Sequence, residues 1–325
     1  MRRTAIAALA FMTLLSACAL QAGGGQEPGA TSTSSPSPSD GESTTSTTST
    51  TSAPQQTIST TAQVTTTSVA PVTTVPAAMM EVAPYFYIDE AGHPNRSGPF
   101  VAPIARQVPQ SVAVARAAIE QLLAGPTRGE REGIPSISTA IPDGVKLLGL
   151  TIREDIATID LSGEFEADDD SAAVAQRIAQ VVFTLHRFPS VFEVLFRQDG
   201  VAVSVPTGSG ELVSRPVTIA DYLEFAAALH VESPAYAGRG GNPLEVHGFG
   251  AVFEAAFNYA LADANGLIIE EGHAMTTNGT GWGGFDLSID YEVDREQVGA
   301  LIVWTHSAEN GEKIDIREYP VMLTP

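Results

Sequence analysis

Along this chain the spacing of apolar residues changes period several times, and each change predicts a different kind of structure. Behind Arg2 and Arg3 lies a nearly unbroken apolar run, Ala5 to Leu15. It is too short to cross a bilayer, so it reads as the h-region of an export signal. From Ala19 to about Met80 the pattern vanishes: there is no Lys, Arg, Phe, Tyr or Trp, and the middle is Ser, Thr and Pro ("TSTSSPSPSDGESTTSTTSTTSAPQQ"). Such a composition cannot bury enough apolar surface to offset the entropy of ordering it, and it predicts a tether. Roughly 60 residues of coil span about 40 to 45 Å, and on the order of 190 Å when pulled into a polyproline-like form.

Beyond the tether, helical and strand periods alternate. In "SVAVARAAIEQLLAG" Val112, Ala115, Ile119 and Leu122 share a helical face, with Ser111 as the expected N-cap and Gly125-Pro126 as the stop. In "DDDSAAVAQRIAQVVFTLHRF" the stripe is Val174, Ile178, Val181 and Leu185. Strands are expected at Tyr85 to Ile88, Phe100 to Arg106, Val145 to Ile152, Ile156 to Leu161, Val191 to Phe196 and, with strict alternation, Val201 to Val205. Two helices on a small sheet predict an α+β domain. "TIADYLEFAAALH" then reads either as a helix packed on that domain, with Tyr222, Phe225 and Leu229 inward, or as a plain connector.

The last stretch is all strand. Phe253, Ala255, Phe257, Tyr259 and Leu261 alternate onto one face before an Asn265-Gly266 turn. Phe285, Leu287, Ile289 and Tyr291 repeat the pattern, "ALIVWTH" adds a further run, and Asn310-Gly311 leads into "EKIDIREYPVML". Short strands with turns between them predict an immunoglobulin-like sandwich. The expected organisation is a signal at 1–17, a tether at 18–80, an α+β domain at 81–225, and a linker with sandwich at 226–325. Trp304 reads as a core residue. Trp282, in the glycine-rich "GTGWGGF", reads as a packed plug or an exposed contact, and is the candidate ligand contact.

Charge adds the solvent side. The whole chain carries a formal charge of −21, and loss of the two signal arginines leaves 15 basic against 38 acidic residues, about −23. Only Glu27, Asp40 and Glu42 of those acids lie in the tether. A surface so acidic disfavours nucleic acid, which is bound through Lys/Arg clusters. The dense run Glu164, Glu166, Asp168, Asp169 and Asp170 lacks the order of a calcium-binding loop and sits where a helix N-terminus favours negative charge, so capping is the expected role.

Chemistry is concentrated at one residue. Cys18 is the only cysteine and cannot form an intrachain disulfide. Leu15-Ser16-Ala17-Cys18 resembles the bacterial lipobox, in which the thiol is alkylated by diacylglycerol and the chain is cut before it. The expectation is a lipid anchor at Cys18 on the outer face of the cell membrane, where two or three acyl chains give stable attachment; the other reading is an ordinary signal with a chance cysteine. No H-E-x-x-H, G-x-S-x-G, P-loop or dinucleotide fingerprint occurs. The six histidines, His93, His186, His230, His247, His273 and His306, are scattered, although His247 and His273 fall in different strands that could share a surface. No metal ligand set, cofactor site or catalytic group is therefore expected.

Two segments carry a family resemblance. "EQLLAGP", "IPDGVKLLGLTI", "ATIDLSGEF", "AQVVFTLHRFPSVFEVLF" and "DGVAV" occur in that order, and the span from about 82 to 216 resembles the GerMN domain of sporulation and germination proteins and of actinobacterial envelope lipoproteins. "NPLEVHGFGAVFEAAFNYALADANG", "GWGGFDLSIDY" and "ENGEKIDIREYPV" resemble the immunoglobulin-like domain of bacterial spore germination that often follows it. The resemblance implies a non-catalytic envelope protein whose first module is similar to ring-building domains of secretion and sporulation assemblies. A single GerMN copy behind a Ser/Thr tether departs from the tandem arrangement of the sporulation protein. Arginine far outnumbers lysine, Lys146 and Lys313 being the only lysines, which fits a high-GC bacterium. The leading expectation is an adaptor that binds envelope proteins or itself. The alternatives are a peptidoglycan or wall-glycan module, with Trp282, Tyr236 or Tyr85 stacking on sugars, and a wall-modifying hydrolase.

Overall fold

A computed structural model describes residues 78–89, 99–166 and 170–325. The signal, Cys18, nearly all of the tether, His93, Asp168 and Asp169 lie outside the described residues. The first domain runs β1 (Met79–Val82), β2 (Tyr85–Asp89), β3 (Phe100–Pro103), β4 (Arg106–Pro109), α1 (Val114–Leu123), α2 (Arg128–Arg131), β5 (Ser136–Ser138), β6 (Leu147–Arg153), β7 (Ile156–Leu161), α3 (Ser171–His186), β8 (Glu193–Gln198), β9 (Val201–Ala202), β10 (Val205–Pro206) and β11 (Leu212–Val213). A 3₁₀ segment, Ile219–Phe225, leads out of it. The strands form a three-stranded sheet ordered β3-β2-β5, a four-stranded sheet ordered β6-β7-β8-β9, and the pairs β1-β4 and β10-β11. The fold is α+β, as the pattern predicts.

Helix α3 organises this domain. It links β7 to β8, which pair in parallel, and parallel neighbours require such a crossover. Eleven of its sixteen residues are buried, as befits a helix that is apolar nearly all round. Its buried polar side chains are hydrogen-bonded. Gln180 donates to the Tyr85 carbonyl at 2.8 Å and accepts from the Ala140 N–H at 2.8 Å. Thr184 accepts from the Tyr85 N–H at 2.9 Å, and Arg177 donates to the carbonyls of Phe165 and Ala140. Asp170 caps the helix, its carboxylate accepting from the Ala173 N–H at 2.9 Å.

The second domain contains β12 (Leu229–Ser233), β13 (Gly238–Arg239), β14 (Leu244–Gly250), β15 (Ala256–Ala262), β16 (Ile268–Met275), β17 (Gly283–Ile289), β18 (Gln297–His306) and β19 (Lys313–Leu323). A three-stranded sheet ordered β12-β14-β17 faces a five-stranded sheet ordered β13-β19-β18-β15-β16. Val231, Val246, Phe257, Leu261, Phe285, Leu301, Val303 and Val321 fill the space between them. Gly248 is required there. A Cβ at that position would fall 2.5 Å from the Phe285 ring and 2.2 Å from the His230 carbonyl oxygen.

Several local expectations change. Ser111 does not cap α1: the helix starts after Ala113, with Ser111 accepting only from the Ala113 N–H, and Val112 is left fully exposed. The expected strand Phe100 to Arg106 divides between two sheets because the bonds at its break go elsewhere: Pro103 accepts from the Tyr236 N–H, Ile104 donates to the Pro84 carbonyl, and Ala105 donates to the Tyr236 carbonyl. Val201 to Val205 breaks after Ala202, and the next pair ends in Pro206, which has no N–H for a ladder. Phe253 is exposed on a 3₁₀ turn before β15 rather than sharing the face of Phe257 and Leu261. Trp304 is buried but stands outside the inter-sheet cluster, where a register shift releases it and the Lys313 ammonium covers its ring at 3.8 Å.

Candidate functional site

The two domains meet along a continuous seam, and the connector is built into it. Tyr236 donates its N–H to the Pro103 carbonyl at 2.8 Å and accepts from the Ala105 N–H at 3.0 Å, adding one parallel bridge to the first domain. The 3₁₀ segment serves the first domain: Tyr222 is buried with its hydroxyl donating to the Pro206 carbonyl, and Phe225 meets Tyr87 edge-on at 6.5 Å. Leu229, four residues later, belongs to the sandwich core.

At the centre is His230, opposite Phe249 in the register of β12 and β14. Its ring lies 4.8 Å from Phe249, 5.7 Å from Tyr85 and 6.1 Å from Phe183, with Nε2 3.3 Å from the Tyr85 hydroxyl. Phe249 stacks on Phe183 at 6.4 Å and joins the first domain's core, although its strand belongs to the sandwich. Burial pushes the His230 pKa down to about 3, with Arg187 and Arg317 adding repulsion, so the ring is neutral. Burial likewise holds the Tyr85 hydroxyl well above its ordinary range.

Charged groups frame this aromatic centre. Arg187, just past α3, donates to the Glu232 carbonyl across the seam. Burial raises the carboxyls of Glu232 and Glu81, with Arg187 opposing the rise in both. On the other side the Arg317 guanidinium sits 4.6 Å over the Phe100 ring. Together these contacts fix one domain on the other by packing, backbone bonding and charge.

The residues singled out from the sequence have definite places relative to the seam. Trp282 packs edge-on against Phe249 at 5.5 Å and lies against the first domain's core. Tyr85 is fully buried, which removes it as a sugar-stacking platform. His247 and His273 do not share a surface: they stand on opposite sheets, His247 with its Nδ1 2.6 Å from Asp286 on β17, and His273 opposite Asn258 on β16. Of the acidic run, Asp170 caps α3 and the Glu164 carboxyl is held low by the Ser162 hydroxyl, whereas burial raises that of Glu166 despite nearby Arg177. Among the described residues no three His, Cys, Asp or Glu side chains are grouped to hold a metal ion. Cys18 lies outside the described residues. His230, Phe249 and Arg187 were not singled out by function from the sequence, because His230 closes a segment read as a helix or plain connector and nothing in that segment signals that two domains will cover its ring.

The family comparisons divide the chain in the same way. The family described as "Sporulation and spore germination" matches residues 84–204, and the "Immunoglobulin-like domain of bacterial spore germination" matches residues 228–312. This chain joins a GerMN-type domain to a germination-type immunoglobulin-like domain. Among solved structures, the first GerMN domain of the sporulation protein GerM from Bacillus subtilis is 21% identical, with 42% of this chain and 97% of that one covered and a TM-score of 0.31. The tandem GerMN domains of the same protein are 18% identical over 65% of this chain and 62% of theirs, TM-score 0.34. A Clostridium perfringens protein provisionally named a lipoprotein is 21% identical over 44% of this chain and 89% of its own, TM-score 0.30. No curated protein matches the chain. The GerMN-type domain thus contributes α3 and Tyr85 to the seam, and the germination-type sandwich contributes His230, Phe249 and Trp282.

Proposed function

We propose that the chain is a non-catalytic adaptor of the bacterial cell envelope, attached to the outer face of the membrane through lipid on Cys18 and carrying its two domains as one binding body at the end of the Ser/Thr/Pro tether. The observation that carries the reading is the seam. Phe249 and Trp282 of the sandwich pack into the core of the GerMN-type domain, so a partner meets one surface composed of both. A domain pair that moved freely would have to be ordered by each partner it bound, at a cost in affinity that a fixed pair avoids. The relation to germination and sporulation domains supports an envelope setting, and the lipobox-like sequence supports the anchor.

The test is in-cell crosslinking and affinity capture of the tagged chain, compared with Cys18→Ala in the same host. Recovery of a defined envelope protein that is lost with the anchor supports the adaptor. Recovery of peptidoglycan fragments alone replaces it with a wall-glycan module. An unmodified Cys18 on the mature protein by mass spectrometry overturns the anchor.

A further inference from the structure

The seam leaves a recess at its rim. Where α3 ends, His186 and Arg187 come against β12 and β14, and with Glu232, Ser233 and His247 they line a cleft of about 220 Å³. Two of these residues belong to the GerMN-type domain and three to the sandwich, so the cleft exists only when the domains are joined. Every side chain that lines it is polar or ionisable. Domain interfaces are where such recesses most often bind ligands.

The groups in the cleft are mostly acceptors. Register places Ser233 opposite His247 and His247 opposite Asp286, so the three share the outer face of their sheet. The Asp286 carboxylate lies 2.6 Å from His247 Nδ1, which leaves Nε2 of the neutral ring as an acceptor. Burial keeps the His186 ring neutral, and its Nδ1 is buried with no hydrogen-bond partner among the described residues. The Glu232 carboxyl is short of positive charge: burial raises it, and neither Arg187 nor the Tyr85 hydroxyl offsets that rise. Arg187 donates to the Glu232 carbonyl instead. Glu81 stands across Arg187 in the adjoining recess, also raised by burial, and Arg239, the other guanidinium near it, is paired with Glu296. Glu81, Glu232 and Asp286 thus surround one guanidinium, in a chain of formal charge −21.

We propose that this cleft receives a primary ammonium group, the tip of a lysine side chain on a partner protein. An ammonium has three N–H donors and no acceptor. The cleft offers it the Glu232 carboxylate, His247 Nε2 and the Ser233 hydroxyl oxygen. A cation seated there supplies the positive charge that burial withholds from Glu232, and the acidity of the chain draws basic surfaces toward it. The long stem of lysine lets the tip enter a recess while its backbone stays outside. This deepens the adaptor reading by naming what the partner must carry, and it rests on that reading for the source of the ammonium.

The test titrates the purified full chain, as Cys18→Ser, with Nα-acetyl-lysine amide and follows the imidazole C–H signals by NMR. His186 and His247 should shift saturably while His306, on the opposite sheet, stays fixed. Nα-acetyl-norleucine amide, which has no ammonium, should move none of them. Glu232→Gln should weaken binding at least about tenfold, and added salt should weaken it in the native chain. Glu232→Gln removes a charge that burial disfavours, so thermal unfolding should not fall; Asp286→Asn, on the exposed face, should weaken binding about twofold to threefold as a second check. Signals unmoved by Nα-acetyl-lysine amide, or an equal response to the norleucine analogue, overturn the proposal. In-cell capture separates it from the adaptor reading. A partner lost with Glu232→Gln supports both; a partner retained with Glu232→Gln leaves the adaptor standing and overturns this contact. A cleft that binds the probe in a chain that captures no protein overturns the partner as the source and makes a free amine the occupant.

Discussion

The two sides of the GerMN-type domain present similar apolar material and treat it in opposite ways. On the seam side Tyr85 and Phe183 are covered by His230 and Phe249 of the sandwich, and backbone bonds through Tyr236 complete the closure. On the β6 side Leu150, Ile152 and Phe188 border a cleft that nothing in the described residues fills. The difference teaches that joining these domains uses a matched polar frame as well as hydrophobicity: on the seam side carbonyls, the Arg187 guanidinium and a neutral imidazole meet their counterparts beside the apolar rings.

The sharpest way to break this comparison is to open the closed side. Acid should do so: folding depresses the His230 pKa from 6.5 to about 3, so its contribution is complete above pH 6.5 and is lost as pH falls toward 3. At about 1.4 kcal/mol per unit the loss approaches ~4 to 5 kcal/mol across that window. Glu232 and Glu81, with raised pKa values, oppose the trend, since acidification removes charges that burial disfavours. Urea titrations of the native chain and His230→Phe between pH 7 and 3.5 should show the steeper fall in the native chain; parallel curves refute the assignment.

Removing the ring that crosses the seam comes next. Phe249→Ala should cost about 3 to 4 kcal/mol, in the range for truncating a buried aromatic, and should split one cooperative unfolding transition into two. Calorimetry distinguishes this from loss of the sandwich alone. Asp170→Ala, which removes the cap of α3 without touching either side, should cost about 1 kcal/mol by chemical denaturation. The smallest effect belongs to the open side: Thr151→Lys, exposed on the solvent face of β6, should change monomer stability by less than about 0.5 kcal/mol. A large loss there would mean that β6 is covered within its own chain.

Elements with a strong local cause were legible in advance. The stripe Val174, Ile178, Val181 and Leu185 indicated α3, and Asn265-Gly266 indicated a hairpin turn, with Gly266 at φ 78°. The glycine-proline stop after α1 is likewise local, with Gly125 at φ 74°. What escaped the sequence was decided by distant partners. Phe100 to Arg106 reads as one strand, and only the arrival of Tyr236 shows why it breaks. Tyr85 looks like a surface aromatic until α3 supplies both its backbone hydrogen bonds and the sandwich covers its ring. The joint itself could not be seen, because the pattern that buries Phe249 in a neighbouring domain is the same alternation that would bury it in its own sheet.

The position of β1 has a mechanical consequence. Tension applied at Ala78 enters the described residues through β1, whose ladder partner is β4. Three residues beyond its end lies Tyr85, wedged between α3 and His230. Load entering at Ala78 therefore meets, directly behind β1, a residue that belongs at once to the first domain's core and to the joint, so tension that strips β1 acts next on the contact between the two domains.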